Sequence, residues 1–89
     1  MKILTFTGIF KKEGKSYSAL CPEFDVASCG SSIEEAQKNL VEAVQLYLES
    51  AKELGILNDV FEEAGFIGKD RMIAPVEYTT QITTQLTGI

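Results

Sequence analysis

The chain has no histidine and no tryptophan, only two cysteines and two prolines, and no long apolar run. Histidine is the commonest general base and the commonest zinc ligand, so its absence removes the simplest routes to hydrolysis and to a structural metal. Cys21 and Cys29 lack C-x-x-C spacing, and a zinc site built on them would need carboxylates to complete it. Cys21 or Ser28 as a nucleophile would have no base beside it. Gly8, Gly14, Gly30 and Gly55 are isolated and do not form a phosphate-binding loop. The chain therefore reads as a non-enzyme, with no catalytic, metal-ligating or cofactor-binding residue to assign. No segment approaches the roughly 20 apolar residues of a membrane span. The Met1-Lys2-Ile3 start lacks the apolar core of a signal peptide. The expectation is a cytoplasmic protein without membrane contact.

What is present suits one small domain spanning residues 1–89: 45% apolar and 24% charged residues in a chain of 89 make a globular composition with room for a single core. The formal net charge is −5. A field of that sign repels phosphate backbones and favours basic partners. Lys11, Lys12 and Lys15 form the one basic cluster, and it reads as a solvated hairpin turn whose lysines discourage edge pairing.

The stretch from Ser32 to Gly55 organises the rest. Ile33, Ala36, Leu40, Ala43, Val44, Tyr47, Ala51 and Leu54 recur at steps of three and four, with Val41 and Leu48 widening the stripe. Glu34, Glu35, Lys38, Glu42, Gln45, Glu49, Lys52 and Glu53 face water. Ser32 and Glu35 fit a capping box, with the glutamate reaching back to the cap residue. Gly55 fits a left-handed C-terminal cap.

Ahead of the helix, Lys2–Phe10, Ser16–Cys21 and Val26–Gly30 read as strands separated by turns at Lys11–Lys15 and Pro22–Asp25. In this register Cys21 lies opposite Val26 and Cys29 opposite Ser18, which predicts two free thiols. After Gly55, residues Ile56 to Ala64 can form a short helix with Leu57, Val60 and Phe61 inward and Gly65 and Gly68 ending it. From Val76 to Leu86 strict alternation predicts a strand, with Val76, Tyr78, Thr80, Ile82, Thr84 and Leu86 on one face.

The fold class is α+β: a two-layer β-β-β-α-β arrangement with one long helix on one face of an antiparallel sheet. Residues 1–55 form the core unit, 56–75 a short helix and connection, and 76–87 the last strand. At 11 residues that strand outruns each of the three early ones, so part of it is expected to be unpaired, bent back or paired with another chain. Edge pairing of this kind, together with Ile3, Ile9, Leu20 and Ala27 on the uncovered sheet face, predicts a homo-oligomer, either a dimer or a tetramer. Candidate contact residues are Glu23, Phe24 and Asp25 in the second turn and Val76, Tyr78, Thr80, Ile82, Thr84 and Leu86 in the last strand.

From Tyr17 to Glu49 the run YSALCPEFDVASCGSSIEEAQKNLVEAVQLYLE resembles the HicB-like antitoxin family. The ordered matches are Tyr17, Ala19, Cys21, Pro22, Glu23, Gly30, Glu34, Glu35, Ala36, Asn39, Leu40, Glu42, Ala43 and Leu48. The resemblance implies a partial ribonuclease-H-like fold without that enzyme's acidic catalytic cluster. It also implies a partner, a small basic mRNA-cleaving HicA-type toxin blocked by steric cover. The 34 residues after Gly55 do not supply the DNA-binding domain of full-length members, so the chain resembles the short, stand-alone type and no direct DNA binding is expected. The alternative reading is a stand-alone oligomeric regulator that binds a small ligand or a cation, using the concave side of the sheet or the Glu23-Asp25 turn.

Overall fold

A computed structural model of the chain describes residues 2–64 and 79–86. Strands β1 (Lys2–Glu13), β2 (Ser16–Cys21) and β3 (Val26–Gly30) lead into helix α1 (Ile33–Glu53), helix α2 (Leu57–Glu63) and strand β4 (Thr79–Leu86). All strand pairs are antiparallel, in the order β3-β2-β1-β4. Both helices were expected, and together with the four-stranded antiparallel sheet they make the α+β class the observed one.

Two turns set the early register. Gly14, with φ of 63°, and Lys15 close a two-residue hairpin between the paired residues Glu13 and Ser16. A positive φ at the first turn position alone suits a type II′ turn, whose twist matches the flanking strands. Because two residues suffice, Lys11, Lys12 and Glu13 belong to β1 and pair with Ser18, Tyr17 and Ser16. The expected five-residue turn at Lys11–Lys15 is corrected accordingly. Pro22–Asp25 form the second turn, with Asp25 at a φ of 54°, a region that Asp tolerates better than most residues.

β1 is thereby 12 residues long, and its first eight pair with all eight described residues of β4, from Lys2 with Leu86 to Ile9 with Thr79. No unpaired surplus of the last strand exists within the described residues. The expectation of one rested on a strand of 11 residues beginning at Val76, and residues 76–78 lie outside the described residues.

One face of this sheet makes the core. Leu4, Phe6, Phe10, Ala19, Cys21, Ile82 and Leu86 are buried against Ala36, Leu40, Val44, Leu48 and Ala51 of α1. Leu48, which widens the helix stripe, is fully buried, whereas Ile33 and Leu54, placed on the same stripe by spacing, are 44% and 73% exposed. They sit at the two ends of a helix that overhangs its sheet. Gln45, expected in water, is half-buried and donates from Nε2 to Thr84 Oγ1 at 3.1 Å.

The helix ends follow their sequence signals with one change. Ser32 Oγ accepts from the Glu35 N–H at 3.1 Å, but the Glu35 carboxylate reaches the N–H of Ser31 at 2.8 Å, one residue before the cap. At the other end Gly55, φ 76°, donates to the Lys52 carbonyl and Ile56 donates to that of Ala51, the paired bonds of a Schellman motif. α2 ends at Glu63 with Ala64 as its C-cap; Gly65 and Gly68, expected to end it, lie outside the described residues. Val60 is buried, and Leu57 and Phe61 pack against the core.

α1 starts directly over the end of β3. A Cβ on Gly30 would stand 2.5 Å from the Ala36 nitrogen and 2.8 Å from the Glu35 carbonyl carbon, so the helix rests on bare backbone. Asn39 fastens the contact by donating from Nδ2 to the Cys29 carbonyl at 2.8 Å. Gly30→Ala therefore pushes helix and strand apart, with an expected cost of about 1–3 kcal/mol. In thermal unfolding that is a drop of roughly 5–20 °C for a domain of this size, and an unchanged midpoint would refute the close contact.

Candidate functional site

The second turn is the most chemically built part of the molecule. Pro22 ends the β1–β2 pairing, because its ring nitrogen has no hydrogen to offer, and Ile9 with Leu20 is the last pair of that ladder. Two residues back along β1, Thr7 would face empty ladder. The Glu23 side chain takes that place: both carboxylate oxygens accept from the Thr7 N–H at 3.0 Å, and Oε2 accepts from Thr7 Oγ1 at 2.8 Å. Thr7 is only 3% exposed, so this donor would otherwise be buried unsatisfied.

Cys21 stands beside the same carboxylate, its Sγ 3.5 Å from Glu23 Oε1. Its thiol is pushed up from 9.0 to about 12, first by burial, with the Glu23 charge adding to the rise and a hydrogen bond to the Phe24 backbone opposing it. Such a thiol stays protonated and unreactive at neutral pH. Cys29 is exposed, and both cysteines are free. Their positions opposite Val26 and Ser18 are those expected from the sequence.

Folding Glu23 inward swings Phe24 toward the helices. Its ring is buried, tilted at 44° to Tyr47 with centroids 5.9 Å apart and edge-on to Phe61 at 6.0 Å. Both separations fall in the range of interacting aromatic pairs, and the edge-on Phe61 contact is a geometry such pairs prefer. Around this cluster opens a shallow cleft of about 320 Å³, lined by Pro22, Glu23, Phe24, Asp25, Tyr47, Val60 and Glu63. Asp25, Tyr47 and Glu63 are exposed at its mouth. The cleft is floored by aromatic carbon and rimmed by acid, an arrangement fitted to a side chain with an apolar stem and a positive head.

The structure brings Glu23, Phe24 and Asp25 together with Tyr47, Val60 and Glu63, which spacing alone did not assign to one site. Only the shared turn hinted at it. The candidate residues of the last strand lie elsewhere. Ile82 and Leu86 are core residues, Thr84 is half-buried beneath Gln45, and Thr80 pairs with Gly8. Val76 and Tyr78 fall outside the described residues. On the sheet face opposite α1, Ile9 and Leu20 are half-buried and adjacent, with Ala27 exposed next to them. The side chain of Ile3 falls outside the described residues.

Among the described residues no group of three potential metal-ligating side chains occurs, and no helix is long and apolar enough to cross a membrane. Comparison with protein-family models, with curated proteins and with solved structures returns no match in any of the three.

Three measurements test the site. Glu23→Ala strands the Thr7 donor and should cost about 1–3 kcal/mol, while Asp25→Ala, at the exposed rim, should cost far less; equal losses would show that the Thr7 bonds carry no weight. Thiol titration of the native protein should label Cys29 quickly and Cys21 only after unfolding. Because the folded pKa of Cys21 is raised, its contribution to stability is complete below about pH 9 and is lost as pH climbs toward 12. The slope is at most about 1.4 kcal/mol per pH unit. Cys21→Ala should flatten that part of the stability curve, and an unaltered slope would contradict the assignment.

Proposed function

We propose that the chain is a non-catalytic protein-binding module of the HicB-like antitoxin type, which neutralises a basic HicA-type mRNA-cleaving toxin by lying over its active site. The observation that carries the reading is the acid-rimmed aromatic cleft at the Cys21-Pro22-Glu23 turn, within the run that resembles the family. The matched residues work as one unit. Cys21, Pro22 and Glu23 build the turn, Gly30 seats the helix, Glu35 and Asn39 tie helix to strand, and Ala36, Leu40 and Leu48 fill the core. A partial ribonuclease-H-like description is part of the same proposal, supported by a β-β-β-α unit whose sheet the last strand extends beside β1.

Occlusion asks nothing of this chain but shape and charge. A net charge of −5 draws a basic toxin in from a distance, which raises the encounter rate and lowers the number of wrong orientations. Asp25 and Glu63 then select cationic side chains at contact, and the Phe24 ring supplies apolar area beneath them. The cleft alone is too small for a stable complex, so it serves as the anchor of a larger surface.

The test is protection of mRNA from a purified HicA-type toxin. Added chain should abolish cleavage near equimolar ratio. The double substitution Asp25→Lys with Glu63→Lys should weaken binding at least about tenfold, or about 1.4 kcal/mol, with most of the loss in association rate and a flatter salt dependence. Absence of binding at micromolar concentration, or binding indifferent to the charge reversal, would overturn the proposal.

A further inference from the structure

The two outer strands of the sheet are treated differently. The Thr7 N–H points toward β2, where Glu23 receives it. Backbone groups along an antiparallel strand alternate in direction, so the odd residues of β1 bond β2 and the even ones bond β4. Carried across the sheet by the registers, this leaves Ala27 and Cys29 facing outward on β3, and Thr79, Gln81, Thr83 and Gln85 facing outward on β4.

The β3 edge is short and partly taken, since Asn39 occupies the Cys29 carbonyl. Among the described residues the β4 edge shows none of the devices that usually protect an exposed strand. Its eight residues, TTQITTQL, include no charge and no proline. Its pairing with β1 runs without a bulge over the whole length. Among the described residues β4 ends the sheet.

We infer that the free edge of β4 pairs with β4 of a second copy about a two-fold axis through Ile82, joining two sheets into one of eight strands. That axis lies near the middle of the strand and matches its outward groups in pairs. It sets Thr79 against Gln85 of the second copy and Gln81 against Thr83, each as a hydrogen-bonded pair, with Ile82 facing its own counterpart. No charge meets a like charge in this register. Since Ile82 lies on the core face beneath α1, pairing there also brings the two helical layers side by side and adds apolar contact to the backbone bonds. A hetero-partner would need a strand of its own, whereas a second copy already presents the complementary edge. The inference is independent of any toxin.

Light scattering on the purified chain at roughly 100 µM, well above a micromolar Kd, should give twice the 9.8 kDa chain mass. Thr83→Pro removes one outward N–H and leaves the β1–β4 bonds, which run through Ile82 and Thr84, in place. It should yield a folded monomer, while Thr83→Ala, which loses only the hydroxyl, stays dimeric. Should the proline variant fail to fold, a charge pair decides the matter. Gln81→Lys with Thr83→Lys sets lysines opposite one another and should weaken the dimer at least tenfold; Gln81→Lys with Thr83→Glu sets opposite charges together and should strengthen it. A monomeric wild-type chain, or a dimer indifferent to both charge pairs, would overturn the inference.

Discussion

A single carboxylate settles how the sheet and the helical layer meet. Where Pro22 stops the β1–β2 ladder, Glu23 stands in for a strand, receiving the N–H and the hydroxyl of Thr7. With Glu23 folded under, the turn doubles back and its next residue becomes the hub of an aromatic cluster with Tyr47 and Phe61. The short helix α2 packs on that hub through Phe61. Cys21 is the silent member of the group: its neutral thiol fills space beside the carboxylate without adding charge.

Much of the fold was readable because the strong signals were local. The 3.6-residue periodicity of α1, its serine cap, the left-handed Gly55 and the alternation in β4 each depend on neighbours a few residues away. The register of β2 against β3, with Cys29 beside Ser18, followed from turn length alone. Where the reading missed, the cause was a choice between two local solutions of similar energy. Lysines can sit in a turn or along an exposed strand, and only the two-residue closure at Gly14 shows that Lys11 and Lys12 do the latter. Ile33 and Leu54 satisfy the helical spacing but run past the ends of the sheet that would cover them.

The cleft was less legible than the fold for a related reason. Glu23 and Asp25 looked alike in sequence, two acids in one turn. In the structure one faces inward and serves the architecture, and the other faces outward at the rim. Tyr47, Val60 and Glu63 join them only because α1 and α2 fold back over the turn. No spacing rule connects residues that far apart in the chain. The site is a product of tertiary structure, built from residues whose separate signals all pointed to packing.

Asn39 has a consequence that reaches beyond the contact it makes. By holding the Cys29 carbonyl it occupies one of the outward groups of β3, which makes that border a poorer acceptor of a further strand than β4. A protein with two open borders can polymerise without limit, each copy passing its vacancy to the next. Were one border blocked, a symmetric union at the other would use up every vacancy at once, and such an assembly would be finite.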